Sequence, residues 1–569
     1  MVFRYKISCK FVALKEKGKI MRKRLSALVL TCVIIFSFSG NCIAQNDFEI
    51  AKNVDIFVSI LKELNGKYAD EITPGDLTKT AIDAMLASLD PYTVYYPESQ
   101  IEDFKMMTKG QYGGIGALIQ QHGDYIVISE PYEGCPAQQA GLMAGDKILS
   151  INKEKMKSRT SSDVSEFLKG QPGTKISIEV ERYGVDKPMV FDVVRKEIKF
   201  PSVPYSGMLS EDVGYIKLDQ FTENAGNEVK EAFTKLKEEG MRYLVFDLRN
   251  NGGGLLQEAV NIMNIFVDQG TKIAETKGKL ESQHNVYKTR YPVTDKAIPV
   301  VVLVNEYSAS ASEIVSGAFQ DLDRGVIMGH KTFGKGLVQN IVPLSYNTSL
   351  KITIAKYYIP SGRCVQNIEY FKNDTITPSR TKIPDSLAVA FKTKNGRKVY
   401  DKGGVEPDVI SPDTAASNLL LALVLNNHIF DFATQYRATH EKIADAKDFV
   451  VTDEIYNEFL TYLKDKEYTY TTETEKQLEE LKKIATDERY YEDIQGLCEK
   501  MKAQIEDEKS TELQKYKGEI SDYLASEIIS RYYYQKGKYV DMLRSDPEVR
   551  AAKDLLHDTD RYKSILGIK

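Results

Sequence analysis

A chain of 569 residues is too long for one hydrophobic core, so three or four domains are expected. Hydrophobic residues make up 42% and charged residues 28%, as in ordinary globular proteins, and the net charge is −5. With no basic run beyond the N-terminus, nucleic acid is not an expected partner. Six cysteines and six histidines are scattered without metal-ligand spacing, so we expect no metal, no cofactor and no disulfide framework.

The N-terminus has the pattern of a secretory signal peptide. Basic residues at 22–24 precede the largely apolar run Leu25–Phe38, and Cys42-Ile43-Ala44 forms a small-residue cleavage site before Gln45. Residues 1–44 are therefore expected to be an N-terminal extension and signal peptide, with translation starting at Met1 or Met21. Export would place the protein in the periplasm or cell envelope. Lipidation of Cys42 is the alternative, and only then would membrane association be expected.

Residues 45–109 are predicted to be helical. Apolar side chains recur at spacings of three and four from Val54 to Leu64, and a second stripe runs from Ala81 to Leu89. The segment Leu89-Asp90-Pro91-Tyr92-Thr93 ends the second stripe in a proline turn. These patterns indicate a packed helical pair and no chemistry.

Residues 110–197 resemble a PDZ domain. Glycines 113, 114 and 116 precede an alternating strand, and 140–152 read A-G-L-M-A-G-D-K-I-L-S-I-N, similar to the PDZ core pattern. The resemblance implies that a peptide adds to the sheet edge beside the helix Ser161–Leu168. It also implies that a backbone loop binds the terminal carboxylate, and that loop is Gly114, Ile115, Gly116 and Ala117. A glycine-rich hairpin without a ligand is the alternative.

Residues 198–411 are predicted to form an α/β core. A strand, a turn and a helix follow one another twice, at 243–266 and 300–322, so strand ends are expected to assemble a site. The first turn, Asn250-Asn251-Gly252-Gly253-Gly254, frees backbone N–H groups to point at one spot. A triple glycine alone is more typical of a flexible turn.

The second turn is a ladder of serines, Ser308-Ala309-Ser310-Ala311-Ser312, after the apolar run Val300–Val304. Apolar residues at helical spacing follow, so a helix begins near Ser310. A serine there lies among unpaired backbone N–H groups, where a developing oxyanion would be stabilised. The alternative is that Ser310 only caps the helix, with Glu313 completing a capping box.

A lysine lies between two glycines in Thr332-Phe333-Gly334-Lys335-Gly336, after the apolar run Val326–Met328. Beside an apolar strand, Lys335 can lose water, and desolvation lowers the pKa of an amine. A neutral lysine can accept the proton of a serine hydroxyl, as in known serine–lysine pairs.

The two runs, S-A-S-A-S-E-I and T-F-G-K-G-L-V-Q, resemble the C-terminal processing peptidases, also called tail-specific proteases. The resemblance implies that Ser310 is the nucleophile, Lys335 the general base and Gln339 the residue that orients the lysine. It also assigns Asp321 to a charge relay, although an aspartate that ends a helix is more often structural. The substrates implied are proteins or peptides with free C-termini.

The run D-L-R-N-N-G-G-G-L resembles the second motif of that family. It implies that the N–H of Gly253, with Gly254 close behind, forms half of an oxyanion hole, and that the N–H of Ala311 forms the other half. The resemblance extends over about residues 50–410. We therefore expect a secreted serine endopeptidase that cleaves near C-termini.

Residues 412–569 are rich in charge and tyrosine, with helical periodicity and little glycine. This region could dimerise the protein, bind an adaptor or shield the site, and its sequence does not decide among these. The fold class expected is multidomain α/β (α+β), with a helical N-terminal region, a PDZ domain, a serine protease core and a helical C-terminal region.

Two other functions fit parts of the sequence. A non-proteolytic binding protein could use the same scaffold, since fold does not fix function; the set Ser310, Lys335 and Gln339 favours an enzyme. A Ser-His-Asp hydrolase would have to use His330, but the G-x-S-x-G elbow of such enzymes is missing from the sequence.

Overall fold

The computed structural model describes residues 47–100, 106, 109–370, 381–382, 385–401, 403–412 and 416–568. The predicted signal peptide lies outside them. Within the described ranges, no helix is long and apolar enough to cross a membrane. The chain divides after Ala87 into two compact units, and the first contains helices α1 (47–67) and α2 (Pro74–Ala87).

The second unit begins with a domain built on an antiparallel sheet, as the PDZ resemblance predicted. Its strands are β3 (Ala117–His122), β4 (Tyr125–Pro131), β5 (Lys147–Ile151), β6 (Glu154–Lys155), β7 (Lys175–Glu181) and β8 (Met189–Val194). The order β3-β4-β5-β7-β8 leaves β3 at an edge. Helix α4 (Ser161–Leu168) packs alongside β3, and a shorter helix, α3 (Pro136–Gln139), precedes β5.

A two-stranded antiparallel ribbon joins this domain to the rest of the unit. It pairs β2 (Gln111–Gly114) with β9 (Lys196–Lys199). The first residue of the predicted carboxylate loop, Gly114, is therefore a strand residue, and the free loop begins at Ile115. Chain entry and exit lie side by side, so the domain is held to its neighbour by both strands.

The predicted protease core contains a six-stranded sheet, parallel except at one edge. Its strands, in spatial order, are β10 (Tyr205–Met208), β11 (Val213–Lys217), β12 (Tyr243–Asp247), β15 (Val300–Val304), β16 (Val326–Gly329) and β23 (Val409–Ile410). The central strands are mostly apolar and almost wholly buried, as expected of a parallel sheet covered on both faces. Helices α5 (Ala225–Glu238), α6 (Leu256–Phe266) and α7 (Ala311–Asp321) cover one face.

A second, antiparallel sheet stands beside the first. Its strands are β1 (Val94–Tyr96), β13 (Lys272–Gly278), β14 (Asn285–Lys288), β17 (Leu337–Pro343) and β18 (Ser349–Tyr358). Strands β17 and β18 form an antiparallel hairpin. Two short ribbons complete the region, one of β19 (Ile368–Glu369) with β20 (Thr381–Lys382) and one of β21 (Ala390–Lys392) with β22 (Lys398–Tyr400).

The C-terminal region is helical, as predicted. It contains α8 (Asn418–Leu425), α9 (His428–Thr439), α10 (Asp453–Leu463), α11 (Glu473–Asp487), α12 (Tyr491–Lys515), α13 (Lys517–Ser545), α14 (Pro547–His557) and α15 (Thr559–Ile565). The last two cover the other face of the core sheet, where Val549, Leu555 and Tyr562 pack against apolar strand residues. This end of the region is therefore part of the protease core.

Candidate active site

The serine ladder lies between the end of β15 and the start of α7. Ser308 and Ser312 are fully buried, and their hydroxyls donate to the backbone carbonyls of Leu248 and Asn251, each at 2.8 Å. These two serines fasten the ladder to the turn that follows β12. Ser310 is half-buried and lines a cavity. The middle serine is thus the one that faces open space.

Ser310 has a backbone conformation that is unusual for a residue other than glycine, with φ 57° and ψ −110°. Such strain persists only where the surrounding structure enforces it, and it is found preferentially at functional sites. The next residue, Ala311, is the first of α7. Ser310 is therefore the N-cap residue, as predicted, on a sharply turned backbone.

A single buried carboxylate joins the ladder to the lysine turn. Glu313 has no solvent exposure and accepts the N–H of Ser310 at 2.9 Å. It also accepts the Thr332 hydroxyl at 2.6 Å and the N–H groups of Gly334 and Lys335 at 2.7 and 2.8 Å. Burial raises the pKa of Glu313, while these donors oppose the shift. The sequence indicated only the capping half of this role.

Lys335 is half-buried, and its Nζ lies 4.3 Å from the centroid of the Tyr92 ring. Desolvation lowers the pKa of Lys335 to about 8, and the charge of Lys351 acts in the same direction. The carboxylates of Glu313 and Asp90 oppose that shift. The burial that the sequence indicated for this lysine is therefore present, and it brings the pKa of the amine close to neutral pH.

Tyr92 belongs to the proline turn at 89–93, which the sequence connected only with packing. Asp90 is 5% exposed and accepts the N–H groups of Tyr92 and Thr93, both at 2.8 Å. The Tyr370 hydroxyl donates to that of Tyr92 at 3.3 Å. The turn therefore places an aromatic ring on the lysine, and periodicity alone gave no signal of this contact.

One cavity of about 550 Å³ brings the predicted residues together. Ser310, Lys335, Gln339 and Gly253 all line it. These residues come from four different segments of the chain, at the ends of β15 and β12, in the lysine turn and in β17. A substrate in this cavity would meet a hydroxyl, an amine and a glycine turn at once.

Gly253 lies against the Ser310 turn. A Cβ at Gly253 would lie 2.8 Å from the Cβ of Ser310 and 2.9 Å from the nitrogen of Ala311, and its φ is +100°, so only glycine fits. Its N–H donates to the side chain of Asn251 at 2.9 Å. Among the hydrogen bonds of the described residues, none uses the N–H of Gly254 or Ala311. The N–H groups that are expected to form the oxyanion hole are therefore adjacent. The N–H of Gly253 is already hydrogen-bonded to Asn251, whereas those of Gly254 and Ala311 are available.

Gln339 lies on β17 and lines the cavity with Lys335. Its amide donates to the Thr353 hydroxyl at 3.1 Å, and the Thr353 N–H donates in turn to the Thr93 hydroxyl at 3.2 Å. Gln339 is thus connected to the proline turn that carries the lysine's aromatic partner. Its expected role in orienting Lys335 stays a prediction.

Asp321 does not occupy the position that a charge relay requires. It ends α7, eleven residues beyond Ser310, which at 1.5 Å per residue is about 16 Å along the helix axis. Its carboxylate pairs with Arg363 at 3.0 Å and accepts the Ser361 N–H at 2.9 Å. Both charged side chains are buried, so Asp321 is a structural residue and the assignment to a relay is corrected.

His330 follows β16, and its N–H donates to the Val304 carbonyl at 3.0 Å. It is not one of the described residues that line the Ser310 cavity. Among the described residues, the cavity at Ser310 is therefore lined by the amine of Lys335 and not by the imidazole of His330.

The predicted carboxylate loop lies close to a phenolic oxygen. Burial raises the pKa of the Tyr112 hydroxyl to about 12, while the backbone of Gly116 and Ala117 lowers it, and the ring lies across Gly114, where a Cβ would be 2.4 Å away. Tyr112 is 8% exposed and stacks on Phe200, with ring centroids 5.9 Å apart. A phenolic oxygen thus lies near the backbone that is predicted to bind a terminal carboxylate.

Comparison with known proteins agrees with this architecture. Residues 212–378 match the model of peptidase family S41, residues 127–182 match a PDZ domain, and residues 419–556 match the C-terminal helical domain of probable PDZ-proteases. The D1 C-terminal processing protease of photosystem II, a solved structure, is 29% identical, with a TM-score of 0.33 over 62% of this chain and 85% of that one.

Two curated relatives are similar over most of their own length. A carboxy-terminal-processing protease of Bartonella bacilliformis is 35% identical over 328 residues, which are 57% of this chain and 75% of the relative. A probable CtpA-like serine protease of Staphylococcus aureus is 32% identical over 350 residues, 60% of this chain and 69% of the relative. The chain therefore belongs to the carboxy-terminal-processing proteases of peptidase family S41 and is a serine-type peptidase.

Proposed function

We propose that this peptidase captures the free C-terminal tail of a protein in its PDZ groove and cleaves the chain with Ser310 as nucleophile and Lys335 as general base. The observation that carries the proposal is the shared cavity. It places the one outward-facing serine of the ladder with a desolvated lysine and a glycine turn.

The reaction begins with the transfer of the Ser310 proton to Lys335 while the serine oxygen attacks the peptide carbonyl. The tetrahedral intermediate collapses when the amine leaves with the proton that Lys335 returns, and an ester on Ser310 remains. Water, deprotonated by the same lysine, then hydrolyses the ester. With its pKa at about 8, roughly a tenth of Lys335 is neutral at pH 7, enough to act without a large energetic cost.

The oxyanion is stabilised by backbone N–H groups at the meeting of the two turns. The Ala311 N–H is available at the start of α7, and the Gly253–Gly254 pair lies against it. Of these two glycines, Gly254 has the open N–H, while Gly253 must first exchange the Asn251 side chain for the oxyanion. Each donor of this kind contributes about 3 kcal/mol to the transition state.

Tail capture uses the edge strand of the PDZ domain. The tail adds beside β3, with its carboxylate at the N–H groups of Gly116 and Ala117, close to the Tyr112 hydroxyl. We propose that the signal-like segment at 21–45 exports the protein, so that its substrates are proteins of the cell envelope. Mass determination of the N-terminus of the mature protein would test export processing, which predicts Gln45 as the first residue.

The catalytic proposal is tested with the chain from Gln45 onward and a Ser310→Ala copy. Each is incubated with an unstructured peptide whose apolar C-terminus is free or amidated, and products are identified by mass spectrometry. Cleavage by the unchanged protein alone, with preference for the free tail, is the expected result. Cleavage that survives Ser310→Ala would overturn the nucleophile, and equal cleavage of both tails would overturn carboxylate capture.

The same experiment would also reveal a non-proteolytic role. If the free tail binds and neither peptide is cut at any pH from 6 to 10, the chain acts as a tail-binding protein under those conditions. Lys335→Arg serves as a second control, because a guanidinium stays protonated and cannot accept the serine proton.

A further inference from the structure

A second cavity of about 550 Å³ lies between the PDZ domain, the protease core and helix α13. Leu118 and Cys135 line it on the PDZ side, and Asp219 and Gln220 line both this cavity and the one at Ser310. A Cβ at Gly116 would be 2.4 Å from the Cβ of Cys135, so the cavity wall touches the carboxylate loop. The cavity therefore connects the tail-binding loop with the catalytic cavity.

A carboxylate in this cavity has an unused acceptor. Glu130 is 6% exposed and lines the cavity; its Oε2 accepts the amide of Gln535, while its Oε1 is buried without a hydrogen-bond partner. Buried polar atoms are nearly always paired, so an orphaned carboxylate oxygen needs a reason. A ligand that brings a hydrogen-bond donor to this oxygen would explain why the protein itself leaves it unpaired.

The charged side chains around Glu130 do not pair with its Oε1. Lys538 and Arg531 are the nearby cations, and both pair with Glu527, at 2.7 and 3.1 Å. Burial raises the pKa of Glu130, with Glu527 adding to the shift. An additional cation at Oε1 would therefore relieve both the desolvation and the repulsion between the two carboxylates.

Strand geometry shows which part of a tail would reach Glu130. A tail with its carboxylate at the start of β3 must run antiparallel to that strand, and its side chains alternate between the two faces. Leu118 pairs with Glu130 across β3 and β4, and a register shift follows Leu118, so both point away from the PDZ core. Ala117 and Ile119 pack against that core instead.

The last residue of the tail then shares the inner face with Ala117, and the second and fourth residues from the end share the outer face with Leu118. We propose that this outer face selects tails with a lysine or arginine second or fourth from the C-terminus, held by the Oε1 of Glu130 in the second cavity. The inference rests on the proposed tail capture. It makes Glu130 a specificity-determining residue and basic-penultimate tails the preferred substrate class.

The test measures tail binding to the full chain in a Ser310→Ala background, by fluorescence anisotropy of labelled ten-residue tails that end in one apolar residue. Lysine, alanine or glutamate is placed second, third or fourth from the end. Lysine at the second or fourth position is expected to bind about tenfold more tightly than alanine, as a buried charge-assisted hydrogen bond allows. Lysine at the third position faces α4 and gives no gain.

Two variants identify the group responsible. Glu130→Gln should remove the preference for lysine and leave the affinity for the alanine tail unchanged, which also shows that the variant is folded. Glu133→Gln, which removes an exposed carboxylate from the same cavity wall, should keep the preference. Equal affinity for lysine and alanine tails overturns the inference, as does a preference that persists in Glu130→Gln. If no free tail binds better than its amidated form, the proposed tail capture itself has failed.

Discussion

Lys335 is a base whose protonation state is set by its surroundings. Because desolvation lowers its pKa to about 8, the neutral form that accepts a proton becomes more abundant as the pH rises through that value. We predict that kcat/KM for a C-terminally free peptide rises about tenfold per pH unit below 8 and levels off above it. A limb centred near pH 6 would instead indicate a carboxylate or an imidazole as the base.

The Tyr92 ring that contacts Lys335 provides a second way to test that pH profile. A cation–π contact favours the ammonium form, by about 0.5–2 kcal/mol, and so holds the lysine pKa higher than burial alone would. Tyr92→Leu should therefore move the limb of the pH–rate profile to lower pH, by about 0.4–1.5 units. Tyr92→Phe keeps the ring and should leave the limb unchanged, so a shift of similar size in both variants would exclude this role for the ring.

At the level of elements, the catalytic geometry depends on how α7 is joined to the lysine turn. Glu313 makes that connection with four accepted hydrogen bonds, and a glutamine there would turn part of its acceptor surface into a donor. We predict that Glu313→Gln lowers kcat at least about a hundredfold, since each buried donor left unpaired costs about 1–3 kcal/mol. The matched control is Glu306→Gln, at an exposed position of the same loop, which should cleave normally.

The sequence predicted those strands and helices that depend on a short run of neighbouring residues. The β-branched run Val300–Val304 became a strand with those bounds, and helix Ser161–Leu168 was predicted to the residue. Ser310 and Lys335 were identified through motifs. The contact of Tyr92 with Lys335 joins distant segments and has no local signal. Asp321 was assigned by resemblance alone, although the length of one helix already separated it from Ser310.

Periodicity has a further limit, which the C-terminal helices illustrate. It predicted helices in this region, but not that the apolar face of α14 covers the core sheet opposite α5, α6 and α7. Leu555 is 2% exposed there. We predict that Leu555→Ala lowers the free energy of unfolding by about 2–5 kcal/mol, measured by urea denaturation with circular dichroism. Leu497→Ala, at a position that is 63% exposed on α12, should change it by less than about 0.5 kcal/mol; equal effects would contradict this packing.

For the whole molecule, the PDZ domain is connected to the C-terminal helices through the strand that would bind tails. His122, the last residue of β3, pairs with Asp431 of α9 at 2.9 Å, and the Gln120 amide donates to Asn427 at 3.1 Å. The hydrogen bond to Asp431 raises the pKa of His122, with burial opposing the shift. The pair therefore stabilises this junction most below about pH 6.5, and the contribution is lost as the pH rises through the higher folded-state pKa.

The expected consequence is a junction that opens more often in alkaline solution. Hydrogen exchange of residues 117–122, corrected for the intrinsic pH dependence, should show protection about two- to fivefold lower at pH 8.5 than at pH 6, since a half-exposed pair is worth less than about 1 kcal/mol. Asp431→Asn should remove this difference. Protection that is independent of pH in the unchanged protein would show that the pair does not hold the junction.

The Tyr112 hydroxyl beside the carboxylate loop would affect how tightly a tail binds there. In the proposed tail capture, a tail that enters the loop would compete with the nearby Tyr112 side chain, so its binding free energy would be the difference between two occupants of the same backbone groups. The internal competitor is present at every encounter, at a concentration that does not depend on the cell. Weakly binding tails would then lose to the tyrosine, and the loop itself would set a threshold below which ordinary protein C-termini are ignored.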